Sequence, residues 1–270
     1  MITELSKDNF YRINPITDKC NNIEVKAVAS GISPGWVFVD HPTEVTAALI
    51  WIQGQMGFHI VGDSQSTTFL TGLASFGNTY IQPKLKELNL DCVEISVEND
   101  SWAETIQVIF NKCDLSSAMQ HVFELKENTV STEQRDETVT IVKLDEALLK
   151  SRRFDNQSYL EEKINRFWDS IDDFVQHGFG YIVEVDNSVV SSCFSAFVAD
   201  QTHAIDIETV EGYKRQNYGS AVVNAYVQEC KQQGITPYWD CSPDNTGSIR
   251  LAESVGMSLS FNYKIFWYRF

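Results

Sequence analysis

The spacing of apolar residues predicts alternating helices and strands through the second half of the chain. Apolar side chains recur every three to four residues over 159–177, which predicts a long amphipathic helix. Short β-branched and aromatic runs then predict further strands, and two more apolar-periodic segments predict helices, each followed by a glycine. The predicted strands cover 181–185, 189–198, 204–209, 236–241 and 258–270, and the predicted helices cover 218–233 and 245–257.

A similar order of elements is predicted for the first half, which suggests two pseudo-repeats of a mixed α/β unit. The predicted strands cover 37–40, 48–52, 57–62, 91–97 and 121–126, and the predicted helices cover 69–80 and 102–110. The polar stretch Thr129–Glu137 shows no apolar periodicity and therefore reads as a linker. The two halves share this order without recognisable sequence identity.

Charge and cysteine content narrow the classes of function. The formal net charge of −16 argues against nucleic acid and against acidic membranes as partners, but it is compatible with a cationic amine. The six cysteines form no C-x-x-C pair and show no zinc-ligand spacing with histidine, so we expect reduced thiols and no metal. The first residues lack the apolar core of a signal peptide, and no long apolar run is present. These observations lead us to expect a cytoplasmic protein; the oligomeric state is left open.

The segment 208–221 joins a predicted strand to a predicted helix through a polar turn. The first N–H groups of a helix have no partner within the helix, and the helix dipole favours an anion there. The turn also carries Lys214 and Arg215 in a chain that is otherwise acidic. These features predict a pyrophosphate-binding cradle, although neither the Walker A pattern nor G-x-G-x-x-G occurs. An ordinary strand-to-helix turn is the alternative.

This turn resembles the acetyl-CoA loop of the GNAT superfamily of N-acetyltransferases, [RQ]-x-x-G-x-[GA]. Gln216-x-x-Gly219-x-Ala221 matches every letter, whereas Lys214-x-x-Asn217-x-Gly219 suits the surrounding spacing better, with Asn217 in the place of the first glycine. Farther on, Trp239-Asp-Cys, Asn245-x-x-Ser248 and Leu251-Ala252 resemble the zwittermicin A resistance-type branch, in which a degenerate domain precedes the catalytic one.

The resemblance implies a fold and a division of the chain. The fold class is α/β (α+β), with a mixed, mostly antiparallel GNAT-type sheet flanked by helices. Residues 1–130 would form a degenerate GNAT-like domain and residues 135–270 the catalytic domain. Asp63 follows the third predicted strand of the first half, where a coenzyme loop would lie. A carboxylate there would repel a pyrophosphate, so we expect no active site in that half.

The resemblance further implies acetyl-CoA as cofactor and direct acetyl transfer to a small-molecule amine in a ternary complex. The strand ending at Thr209 would pair with the pantetheine arm and diverge from the next strand. The residues expected to bind the coenzyme are Ile207, Thr209, Lys214, Arg215, Gln216, Asn217, Tyr218, Gly219, Ser220, Asn245 and Ser248.

The catalytic groups are less clearly indicated. Glu208 is the first candidate for the general base, followed by Asp206 and His203; alternation along a strand puts the two carboxylates on one face and His203 on the other. Many GNAT domains carry a tyrosine acid where this chain has Ala252, so Ser248, Cys241 or water would have to replace it. A non-catalytic acyl-CoA-binding or interaction protein is therefore the alternative function, and a domain that binds another nucleotide is a third.

Overall fold

The chain forms two compact units in a computed structural model that describes residues 1–125 and 139–270. The first unit contains Met1–Gln120 together with Asn262–Phe270, and the second contains His121–Phe261. The predicted linker, Thr129–Glu137, lies outside the described residues. The proposed roles of residues 1–130 and 135–270 as degenerate and catalytic domains stay predictions.

Twelve strands and ten α-helices are described in these two ranges. The strands are β1 (Thr3–Leu5), β2 (Gly35–Val39), β3 (Ala47–Ile52), β4 (Gly57–Gly62), β5 (Cys92–Val97), β6 (Ser116–Leu125), β7 (Thr140–Lys143), β8 (Gly180–Val185), β9 (Ser188–Ala199), β10 (Thr202–Thr209), β11 (Thr236–Cys241) and β12 (Met257–Arg269). The α-helices are α1 (Asn14–Thr17), α2 (Ile23–Ala29), α3 (Thr67–Phe76), α4 (Gln82–Glu87), α5 (Asp100–Ile109), α6 (Glu146–Lys150), α7 (Gln157–Phe167), α8 (Ile171–His177), α9 (Tyr218–Gln233) and α10 (Thr246–Ser254).

The first unit carries its strands in the order β1-β2-β3-β4-β5-β12. All neighbouring pairs are antiparallel except β4 and β5, which run parallel. The parallel pair requires a crossover connection, and α3 and α4 supply it. The core of this unit lies between the sheet and the helices α3, α4 and α5, and its largest fully buried side chains include Trp51, Trp102 and Phe69.

The second unit repeats this arrangement with the order β6-β11-β10-β9-β8-β7. Its one parallel pair in the described chain is β10 and β11, and α9 forms the crossover between them. The core beneath α9 contains Val222, Tyr226 and Trp239. The mixed, mostly antiparallel sheet flanked by helices confirms the predicted fold class.

Each unit takes one strand of its sheet from the other half of the sequence. Lys264–Arg269 of β12 pair with β5 in the first unit, and His121–Glu124 of β6 pair with β11 in the second. The sequence analysis predicted these strands as the last element of each half. It missed the exchange because strand pairing is non-local and the two strands have equivalent positions in the repeat.

The predicted helix over residues 159–177 is wrong in its length, because the structure breaks it into α7 and α8. Trp168 ends α7 in an extended conformation, and its indole Nε1 donates to the backbone oxygen of Ser195 at 2.9 Å. Ser170 then begins α8, where its hydroxyl accepts from the backbone N–H of Asp173 at 3.1 Å. Burying the Trp168 indole with a hydrogen-bond partner outweighs the helical spacing of the flanking apolar residues.

Candidate functional site

A gap opens in the sheet of the second unit where β10 and β11 diverge. Their register pairs join Thr202–Ala204 to Thr236–Tyr238. Beyond that point β10 continues to Thr209 along β9, and β11 continues to Cys241 along β6. The register of β10 against β9 shifts between Ala204 and Ile205, and such a bulge increases the local twist of a strand. Backbone groups on the facing edges of the two strands are therefore available to an extended ligand.

The turn after β10 holds two non-glycine residues in the left-handed region. Arg215 and Asn217 both have φ of 62°. Asn217 immediately precedes α9, and its side chain makes no hydrogen bond to the helix start. Asparagine tolerates this conformation better than most side chains, as the sequence analysis expected for a residue in the place of a glycine. The first N–H groups of α9 thus keep their capacity for an anion.

Gly219 allows the start of α9 to approach the end of β10 closely. A Cβ atom on this residue would lie 3.3 Å from Oγ1 of Thr209 and 3.5 Å from Cδ2 of Leu251. A larger side chain would push the helix away from both the strand and α10. This close contact keeps the N-terminus of α9 beside the gap between the strands.

A cavity of about 650 Å³ occupies this position. It is lined by the end of β10, the turn, the start of α9 and one face of α10. Every residue predicted to bind the coenzyme lines it except Gln216, whose side chain turns back to the backbone oxygen of Gly212 at 3.5 Å. The predicted residues on its wall are Ile207, Thr209, Lys214, Arg215, Asn217, Tyr218, Gly219, Ser220, Asn245 and Ser248.

The cavity also includes residues that the sequence analysis missed. They are Tyr213, Trp239, Gly247, Arg250, Leu251 and Ser254. Four of these residues lie on α10 at a spacing of three to four, which puts them on one face of the helix. Counting this spacing from Gly247 could have revealed Arg250 from the sequence. Arg250 adds a third cation to those of Lys214 and Arg215, in keeping with a site for an anionic ligand.

Two hydrogen bonds fix α10 in its position on the cavity wall. The side chain of Asn245 accepts from the backbone N–H of Ser248 at 3.1 Å, which caps the helix as expected. The Ser248 hydroxyl accepts from Nε1 of Trp239 at 2.8 Å. Since Trp239 lies on β11, this bond ties the helix to the strand that borders the gap.

Lys163 of α7 joins the two predicted carboxylates. Its Nζ lies 2.6 Å from Oε2 of Glu208 and 2.8 Å from Oδ2 of Asp206. Both carboxylates therefore share one face of β10, as strand alternation predicted. Of the two, only Glu208 lines the cavity, and its side chain is 47% exposed against 18% for Asp206. Glu208 is thus the carboxylate that a ligand in the cavity can reach.

Lys163 also sets the charge state of Glu208. Burial raises the pKa of Glu208, but the hydrogen bond and the positive charge of Lys163 outweigh burial and hold this pKa below its ordinary value. Burial and the neighbouring charge of Glu208 raise the pKa of the Tyr159 phenol, which therefore stays protonated. At neutral pH Glu208 on the cavity wall is consequently an ionised carboxylate beside a lysine cation and a neutral phenol.

His203 lies away from the cavity, inside the core. It is 5% exposed, its Nδ1 lies 2.9 Å from the Ser195 hydroxyl, and its ring packs on Phe179. Burial lowers its pKa to about 4, so the imidazole is neutral at physiological pH. This placement does not favour His203 as the general base.

The sequence model of the GNAT acetyltransferase family matches residues 14–266, which covers nearly all of both units. The chain belongs to the GNAT acetyltransferase family. This membership confirms the class of N-acetyltransferase that the loop and the α10 motif predicted.

Relatives of this GNAT chain extend over its full length. It is 26% identical to an uncharacterized N-acetyltransferase, YdfB of Bacillus subtilis, over 99% of this chain and 98% of the relative. Among solved structures, a GCN5-related N-acetyltransferase-like protein of Streptococcus suis is 17% identical with a TM-score of 0.68, over 97% of this chain and 99% of that one. A tandem GNAT protein from the clavulanic acid biosynthesis pathway is 9% identical with a TM-score of 0.60, over 99% and 97%. The two structural similarities support the fold.

The GNAT cavity has no tyrosine at the position where many members carry their acid. Ala252 is completely buried against the core beneath α9. Cys241 is 8% exposed, and burial raises the pKa of its thiol, which disfavours a thiolate nucleophile. Ser248 remains on the cavity wall, and its hydroxyl is oriented by Trp239.

Proposed function

We propose that this protein transfers the acetyl group of acetyl-CoA directly to the amine of a small molecule, at the cavity between the ends of β10 and β11. The observation that carries the proposal is the convergence of this strand gap with the N-terminus of α9 in one cavity. The cavity volume of about 650 Å³ lies in the range usual for small-molecule sites. Six free cysteines favour a reducing compartment, so a cytoplasmic location is part of the proposal.

The residues of the cavity fit the coenzyme in charge and in backbone geometry. The uncapped N–H groups at the start of α9, with Lys214, Arg215 and Arg250, would hold the diphosphate. The free edge of β10 at Ile207–Thr209 would hydrogen-bond the amides of the pantetheine arm. When bound, the coenzyme supplies the acetyl thioester, and the chain supplies its binding, its orientation and the movement of protons.

Glu208 is the proposed group for orienting and deprotonating the acceptor amine. It is ionised at neutral pH, lines the cavity and lies at the end of the strand whose edge would hold the pantetheine arm. An ionised carboxylate attracts an ammonium group and can accept its proton directly or through water. A backbone N–H near Ile207 or Glu208 would stabilise the negative charge that develops on the thioester oxygen.

The test is the release of free CoA thiol from acetyl-CoA across a panel of small amines, with the acetylated product identified by mass. We expect turnover with at least one amine, and roughly a tenfold higher KM for acetyl-CoA when Lys214→Ala and Arg215→Ala are combined, since each exposed charge contributes up to about 1 kcal/mol. Lys112→Ala removes an exposed cation in the first unit and serves as the control. Tight binding of acetyl-CoA without turnover on any amine would instead favour the non-catalytic acyl-CoA-binding protein.

A further inference from the structure

A second cavity, of about 520 Å³, lies in the first unit and is separate from the proposed acetyl-transfer site. Cys20, His59 and Glu98 all line its wall. Each offers one metal-ligating atom, and these three atoms lie within 4.8 Å of one another. They come from three distant parts of the sequence: the segment before α2, the middle of β4 and the segment after β5. Spacing along the chain therefore gives no sign of this cluster.

His59 is the member of the cluster that the surrounding protein leaves unsatisfied. The residue is 0% exposed, and neither ring nitrogen has a hydrogen-bond partner. Its Nε2 lies 3.9 Å from Oε1 of Glu98, which is beyond hydrogen-bond distance. Buried imidazole nitrogens normally find a partner, so a fully buried histidine without one indicates a missing ligand.

Glu98 holds the second candidate ligand, Cys20, in place through hydrogen bonds. Its Oε1 accepts hydrogen bonds from the Cys20 thiol at 2.7 Å and from the backbone N–H of Asn22 at 2.6 Å. Its Oε2 accepts from the backbone N–H of Asn21 at 2.9 Å. The side-chain amide of Asn21 also donates to Oε2 at 3.2 Å, so four hydrogen bonds fix the carboxylate and hold the Cys20 segment beside β4. In a metalloprotein, such bonds to a ligating carboxylate set its orientation.

The atoms lie close to the separations that a tetrahedral ion requires. Zinc bonds sulfur at about 2.3 Å and nitrogen or oxygen at about 2.0–2.2 Å, which separates its ligand atoms by roughly 3.3–3.7 Å. Two of the three separations, 2.7 Å for sulfur to oxygen and 3.9 Å for nitrogen to oxygen, lie on either side of that range, and the third is within 4.8 Å. Small side-chain rotations of Cys20 and Glu98 would therefore suffice.

We propose that Cys20, His59 and Glu98 bind one zinc ion, with the fourth coordination position facing the cavity of the first unit. The ion displaces the Cys20 thiol proton to solvent, and one thiolate with one carboxylate balances its double positive charge. A thiolate and an imidazole together favour zinc over magnesium or calcium, which prefer oxygen ligands. The fourth position would take water or a small ligand from the cavity, unlike the closed sites of purely structural zinc.

The experiment uses the full-length protein, first stripped of metal with a chelator and then titrated with Zn²⁺ or Co²⁺. We expect one ion per chain, and with Co²⁺ a thiolate-to-metal charge-transfer band together with the visible bands of four-coordinate cobalt. Cys20→Ser should abolish the charge-transfer band, and His59→Gln should weaken Zn²⁺ binding by more than about 100-fold.

Two matched variants separate this site from adventitious binding. Cys113→Ser and His41→Gln change the same residue types elsewhere in the first unit and should leave affinity and spectrum unchanged. Glu98→Gln is nearly isosteric and provides a ligand variant if Cys20→Ser fails to fold, as judged by circular dichroism. The proposal is overturned if the folded wild-type protein binds neither ion. It is equally overturned if the bound Co²⁺ lacks the charge-transfer band.

Discussion

The pKa of Glu208 depends on Lys163, a residue that the sequence patterns did not single out. Strand alternation predicted that Glu208 and Asp206 face the same side of β10, and the structure agrees because both contact Lys163. Lys163 itself lies on α7 beside the buried residues Leu160 and Ile164, where a lysine reads as the edge of an amphipathic helix. Its pairing with β10 arises only when the helix packs on the sheet.

Replacing Lys163 should move the pH dependence of acetyl transfer. Lys163 lowers the pKa of Glu208, so Lys163→Met raises that pKa. If the reaction requires ionised Glu208, the acidic limb of kcat/KM against pH then shifts to higher pH. Glu208→Gln should lower kcat/KM by about 100-fold at neutral pH. For both variants, kcat/KM for acetyl-CoA is measured as thiol release at a saturating concentration of an amine identified in the panel.

The matched control is Lys150→Met, which removes a lysine paired with Glu146 and Asp172 on the surface of the same unit. Its pH profile should coincide with that of the wild type. An unchanged acidic limb in Lys163→Met, together with full activity in Glu208→Gln, would remove Glu208 from the mechanism. The base would then have to be another group or water.

At the scale of single elements, the segment between α7 and α8 shows where periodicity misleads. Apolar residues continue at helical spacing through 159–177, yet the chain leaves the helix at Trp168 and re-enters it after Ser170. The Ser170 hydroxyl both accepts from the backbone N–H of Asp173 and donates to its carboxylate at 2.5 Å. A serine three residues before an aspartate was therefore the local signal for a new helix start.

Ser170→Ala should destabilise the second unit by removing this cap. The expected loss is about 1 kcal/mol, which corresponds to a thermal midpoint roughly 2–4 °C lower for a unit of this size. Differential scanning calorimetry on the apo protein measures it. Ser75→Ala, near the C-terminal end of α3 and exposed, is the control and should leave the midpoint unchanged or slightly higher. Equal midpoints for Ser170→Ala and wild type would show that the break depends on the Trp168 bond alone.

Other elements followed their local signals closely. The helix at 218–233 and the strand at 236–241 have the predicted bounds, because each has a strong periodic or β-branched pattern between turn residues. The short elements α1, α2, β7 and α6 were not predicted. These segments have too few turns or too few residues for a period to be visible, and tertiary packing supports them.

At the scale of the whole molecule, the order of elements was predictable but the pairing of strands was not. The repeated sequence of hairpin, strand, helix and strand is local and can be read along the chain. The exchange that puts the end of β12 beside β5, and β6 beside β11, depends on contacts between residues far apart in sequence. Similarly, the turn that we propose to bind the coenzyme was predicted from its motif, whereas the contact of Lys163 with β10 became visible only from packing.

The net charge of the whole chain and the charge at the cavity have opposite signs in the sequence. The chain has a net charge of −16, yet the turn that lines the cavity carries two adjacent cations, and α10 contributes a third. Cations gathered at one cavity of an acidic protein favour an anionic ligand at that position over general attraction to polyanions. No helix among the described residues is long and apolar enough to cross a membrane.

The central claim is that the turn between β10 and α9 binds the diphosphate of acetyl-CoA, and calorimetric titration of the folded protein with acetyl-CoA tests it most directly. We predict saturable binding at one site per chain, retained in Asn217→Gly. We also predict at least roughly tenfold weaker binding in Asn217→Val, because a β-branched residue does not tolerate the φ of 62° at this position. Wild-type protein that is folded yet binds neither acetyl-CoA nor CoA would contradict the account.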